Sequence, residues 1–138
     1  MNSRDKNPDI ISVANRDLLI MLKAYDNYQN DKLLYAIEDL AEWILNDDSC
    51  PEFSYESRYL NLMQAHKRKR NLTDKEKEMV YDIFENDQSN YDIKTAAALL
   101  LEDSYGAKRN FMRMSNEEQD FFRTLPIYHI GEICKILL

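Results

Sequence analysis

Few side chains in this sequence are of the types that do chemistry near neutral pH, and their spacing limits what they could do. There are two histidines, His66 and His129, and two cysteines, Cys50 and Cys134. A zinc site needs three or four Cys or His ligands at short spacings, and these four residues are isolated from one another. Met63 and Pro126 stand three residues before the two histidines, so the Glu-x-x-His pairs that project metal ligands from one helix face are absent. Gly106 and Gly131 are the only glycines and stand alone, which excludes glycine-rich phosphate-cradling loops. Paired carboxylates, Glu38 with Glu42 and Asp47 with Asp48, carry oxygen ligands suited to a divalent cation, but no Asp-x-Asp-x-Asp-Gly loop organises them. In a chain that is 31% charged, acids four apart are expected on a solvated helix face. The expectation is therefore no metal, no cofactor and no catalytic site. Cys134, in an apolar run, reads as a small buried hydrophobe, and His66, on one helical stripe with Tyr59, Leu62 and Met63, as a partly buried, satisfied residue.

One pair stands apart. In Arg123-Thr124-Leu125-Pro126-Ile127-Tyr128-His129 the spacing of the arginine and histidine resembles the Arg-x4-6-His motif of HEPN-type ribonucleases, helical proteins in which such a pair works on an RNA phosphate. The resemblance implies a helical ribonuclease acting through Arg123 and His129, with Pro126 standing between them. It is carried as the enzymatic alternative.

The elements that must position these residues are helices. Two glycines and three prolines in 138 residues leave little material for tight hairpin turns. Thr73 with Glu76, and Ser115 with Glu118, fit the capping box that starts a helix. Apolar periodicity and breaks predict helices over 9–28, 31–46, 55–69, 74–85, 92–102, 105–114, 116–125 and 127–138. Pro126 suits a helix's first turn and disfavours its interior. The stripe Leu33, Ile37, Leu40, Ala41 and Ile44 is expected to face the core, with Glu38 and Glu42 in solvent. The fold class expected is all-α: seven or eight short helices packed as antiparallel hairpins, in a compact bundle or a short stack, as one domain over 1–138.

The segment running from Ala96 through Ala97, Ala98 and a turn at Glu102-Asp103-Ser104 to Ala107-Lys108-Arg109-Asn110-Phe111 is similar to a tetratricopeptide helical hairpin, with small residues on the first helix and Ala-x-x-x-Phe on the second. A fainter echo places Ala36 and Leu40 in equivalent positions. That likeness implies a scaffold or adaptor that binds peptides or proteins.

Charge distinguishes the chain more than chemistry does. From residue 26 to 56 there are nine carboxylates and a single base, Lys32, more excess negative charge than the −7 of the whole molecule. Directly downstream comes His66-Lys67-Arg68-Lys69-Arg70. Summed charge of one sign on one face attracts a complementary surface and speeds encounter. Trp43 at the flank of the apolar stripe would anchor an acidic, tyrosine-bearing patch formed with Tyr28, Tyr35, Glu38, Asp39, Glu42, Asp47 and Asp48. The function expected is protein–protein interaction: an inhibitor, immunity or anti-defence protein that masks a basic partner, with homo-oligomers possible. Nucleic acid is an unfavoured ligand, because the rest of the chain repels it, and the basic cluster is expected to cap its own helix and pair with the protein's own acidic segment. The longest apolar run, 96–101, is too short to span a bilayer, and no apolar run follows the basic residues near the start, so the expected location is cytoplasmic.

Overall fold

The computed structural model describes residues 8–47 and 55–138. Among them the protein is all-α, with eight helices and no strand. These are α1 (Pro8–Tyr28), α2 (Asp31–Leu45), α3 (Tyr55–Lys69), α4 (Asp74–Glu85), α5 (Tyr91–Leu100), α6 (Ser104–Met112), α7 (Asn116–Arg123) and α8 (Pro126–Ile133). The chain divides into two units, Met1–Ala65 and His66–Leu138, with the boundary inside α3.

In the first unit, Leu18 and Leu22 lie one turn apart on α1, both fully buried, and α1 packs against α2 as a helical hairpin. A two-residue connection suffices. Gln29 takes a left-handed conformation, φ 50°, and its N–H donates to Tyr25 O at 2.6 Å, closing α1. Asn30 then caps α2, its Oδ1 accepting from the backbone N–H of Lys32 at 2.9 Å and of Leu33 at 3.4 Å. The buried side of α2 is Leu34, Ile37, Glu38, Ala41 and Ile44. That is a rotation of roughly 50° from the expected stripe on a 3.6-residue wheel. Leu33 and Leu34 compete for the core, Leu34 wins, and Glu38, one turn beyond Leu34, is carried inward with it. From α3, Tyr59, Leu60, Leu62 and Met63 are buried, and Asn61 Nδ2 donates to Asn15 Oδ1 of α1 at 3.1 Å.

In the second unit α5 is central. Thr95, Ala96, Ala97, Ala98, Leu99 and Leu100 are all buried, and the helix packs against α4, α6 and α8. Small side chains let several helices approach one axis, which is why this helix shows no amphipathic stripe. Thr95 disposes of its hydroxyl by donating to Tyr91 O at 2.7 Å. Ala107 and Phe111 of α6 are buried in the same hairpin, and Phe111 meets Phe122 of α7 edge to face at 5.9 Å. Between α5 and α6, Asp103 accepts from the N–H of Gly106 at 2.9 Å. A Cβ on Gly106 would collide with that carboxylate and lie 3.0 Å from the Phe84 ring, so the cap requires glycine there.

Both capping boxes form, at Thr73/Glu76 for α4 and Ser115/Glu118 for α7, and Pro126 occupies the first turn of α8. Five helices, α2 and α5 to α8, end one to five residues earlier than periodicity indicates, and α5 and α8 do so at left-handed residues. Glu102 and Lys135 adopt left-handed φ of 58° and 60°. Asp103 N–H bonds Ala98 O and Glu102 N–H bonds Leu99 O, while Ile136 N–H bonds Gly131 O and Lys135 N–H bonds Glu132 O, the paired Schellman pattern that stops a helix. No described helix is long and apolar enough to cross a membrane.

Candidate functional site

Helix α2 presents a polar outer face built by its own periodicity. Asp31, Tyr35, Asp39 and Glu42 are all exposed and fall within about 80° of arc on a 3.6-residue wheel. Asp31, Asp39 and Glu42 pair with no basic side chain among the described residues. Trp43, at the edge of this arc, is half-buried, and Tyr28 just before α2 is exposed. The eight residues expected to make one patch therefore separate. Tyr35, Asp39 and Glu42 are on the surface with Trp43 beside them; Glu38, expected in solvent, is buried, and so is Asp47. Asp48 lies outside the described residues.

An acid near a helix C-terminus opposes the helix dipole, and α2 has no base in its last turn. The missing cation comes from α3. Arg58, buried, donates through Nη1 to the carbonyls of Ile44 at 3.3 Å, of Leu45 at 3.0 Å, and of Asp47. Its guanidinium also lies 5.8 Å from the Tyr55 ring centroid. Sequence reasoning passed over Arg58; the available signal was an acid-rich helix whose last turn lacks a cation, followed by an arginine at the start of the next helix.

The basic cluster at the end of α3 is used inside the second unit. Lys67 Nζ sits 3.0 Å from Glu102 Oε2, with only 7% of the lysine side chain exposed. Arg68 Nη2 donates to Pro126 O at 3.0 Å. Arg70 donates to both Glu76 oxygens, at 2.8 and 3.1 Å, and these two hydrogen bonds hold the Glu76 carboxyl down to about 2 against the opposing effect of its burial. The Lys67 ammonium likewise lowers Glu102. Lys67 and Arg70 thus have Glu102 and Glu76 of the same unit as counter-ions.

The residues suited to catalysis are engaged locally. Arg123 pairs with Asp120 at 3.0 Å and lies 5.0 Å from the Phe111 ring centroid. His129, on the next helix, places Nδ1 3.3 Å from Glu132 Oε2. His66 is half-buried, with Nε2 4.0 Å from Glu76 Oε2. Burial pushes the Cys134 thiol above its usual range, and the Glu102 carboxylate pushes it the same way, so the reactive thiolate is disfavoured. Among the described residues no group of three or more Cys, His, Asp or Glu could hold a metal. Comparison of this chain with protein-family models, with curated proteins and with solved structures finds no match.

Proposed function

We propose that this chain is an acidic protein–protein interaction module of the inhibitor or immunity type, whose α2 outer face masks a basic surface on its partner. The observation that carries this reading is the exposed stripe Asp31, Tyr35, Asp39 and Glu42, in which three carboxylates pair with no basic side chain among the described residues. Unpaired like charge on one face raises association rates with an oppositely charged surface by about 10- to 1000-fold, and its own repulsion is relieved when that surface docks. Trp43 supplies the anchor, because a half-buried indole loses little side-chain freedom on binding and buries a large area. The two buried acids, Glu38 and Asp47, belong to the fold and leave the interface.

The experiment is a paired capture from extract of the cells that express the chain. Wild type and an Asp39→Lys/Glu42→Lys variant are immobilised side by side, and bound proteins are scored by isoelectric point. The proposal expects one or a few basic proteins retained by wild type, released by salt, and lost from the variant. Equal retention by both would remove α2 from the interface. A second reading, a tetratricopeptide-like scaffold, is favoured by the burial of Ala96, Ala107 and Phe111 in the α5–α6 hairpin. In that case capture would resist salt, since an apolar groove is not screened.

A further inference from the structure

Helix α7 sends its two adjacent phenylalanines in different directions. Phe122 packs on Phe111, whereas Phe121 is 66% exposed. Phe121 forms one wall of a slot of about 310 Å³ to which Met114 and Leu125 also contribute. Three carboxylates stand around it: Asp92 at the start of α5, and Glu117 and Glu118 in the first turn of α7. None of them pairs with a base among the described residues. Among the described residues Asp92 accepts only from the N–H of Ile93 at 2.9 Å, and Glu118 from that of Ser115 at 3.2 Å. Capping and the helix dipole account for acids at this position, but not for a large aromatic left mostly in water beside them. A neighbouring polar recess of about 540 Å³ shares Asp92 and Glu118 in its lining but also carries Lys94 and Arg113, so the bases of a ligand are expected on the slot side of these acids.

We propose that this slot docks a peptide segment of a partner protein that presents one large apolar side chain flanked by lysine or arginine. The apolar wall takes the first and the three unpaired carboxylates take the second. The volume, at the small end of ligand pockets, suits a single side chain with adjoining backbone. A phosphate-rich ligand would meet three negative charges, so RNA and anionic lipid are disfavoured occupants. This site shares no residue with the α2 face and stands or falls independently of it.

The test is a fluorescence-anisotropy titration with a labelled synthetic peptide of lysine, arginine and alanine around one central leucine. Two control peptides replace the leucine by serine or the bases by glutamate. Proteins are wild type, Phe121→Ser, Glu117→Lys and the α2 variant Asp39→Lys/Glu42→Lys, each checked for helicity by circular dichroism. Saturable binding is expected for wild type and, undiminished, for the α2 variant. Affinity should fall about tenfold or more for Phe121→Ser and for both control peptides, and at least about threefold for Glu117→Lys at low salt. The Glu117 side chain makes no hydrogen bond or ion pair among the described residues and favours the fold only through the helix dipole, so this variant decides the matter should Phe121→Ser fail to fold. Absence of saturation, equal binding of the glutamate peptide, or unchanged affinity in Glu117→Lys would overturn the proposal. So would loss of binding in the α2 variant, or a wild-type dimer in sedimentation that Phe121→Ser dissolves, which would make the face a contact between two copies.

Discussion

Replacing Arg58 by leucine removes the cation that closes the C-terminus of α2 and leaves the side chain's apolar stem nearly intact. Three carbonyls lose their donor, those of Ile44, Leu45 and Asp47, and the surroundings of Arg58 are buried. A hydrogen bond from a charged group contributes about 1.5–3 kcal/mol net, and a cation at a partly buried helix C-terminus up to about 2 kcal/mol. These overlap, because one guanidinium supplies both, and some carbonyls will recover water once α2 frays. A loss of about 3 kcal/mol is the expectation, equivalent to roughly 10 °C in the midpoint of thermal unfolding for a chain of this size. The chain's single tryptophan, Trp43, lies on α2, so its fluorescence during urea unfolding reports the unit that Arg58 closes. Arg58→Lys keeps the charge but not the geometry that reaches several carbonyls at once, and should recover less than half of the loss. If Arg58→Leu unfolded within about 0.5 kcal/mol of wild type, the size expected for a neutral surface change, the capping role would be refuted.

Gln29 holds a left-handed conformation that an L side chain adopts at a cost of about 1–2 kcal/mol, so Gln29→Gly should raise the midpoint by a few degrees in a thermal melt followed by circular dichroism; a decrease would mean that the Gln29 side chain does more than the backbone argument allows. Glu76 has a folded carboxyl near 2 against an ordinary 4.5, so the stability it contributes is full above about 4.5 and is lost as pH falls through the interval down to about 2. Urea unfolding at stepped pH should therefore show wild type losing stability across that interval more steeply than Glu76→Gln or Arg70→Ala, and parallel curves would contradict the pairing.

Helix starts were legible because they are written in side chains. Thr73, Glu76, Ser115, Glu118 and Pro126 act within one turn, and the local chemistry that makes them caps needs no knowledge of the rest of the fold. Helix ends were less so, since Glu102 and Lys135 take the left-handed stop that usually announces itself as glycine. The face of α2 depended on which of two neighbouring leucines the core accepted, a tertiary choice that periodicity leaves open, and that choice took Glu38 out of the candidate site. Arg58 and the destinations of Lys67 and Arg68 depended on contacts between residues distant in sequence. The exposed Phe121 beside Phe122 was equally hidden, because adjacent aromatics on a short helix do not declare which one faces out.

The central claim, that α2 steers and holds a basic partner, is tested most directly by surface-resonance kinetics of the captured partner against wild type, Asp39→Lys/Glu42→Lys and Trp43→Ala at low and near-physiological salt. The account predicts that charge reversal slows association at least about tenfold at low salt, with the gap narrowing as the screening length shortens to about 8 Å. Trp43→Ala should leave association within about threefold and speed dissociation roughly 30-fold, the equivalent of about 2 kcal/mol for an aromatic anchor. Association rates of the charge-reversed variant that match wild type at both salt concentrations, in a protein whose helicity is unchanged, would contradict it.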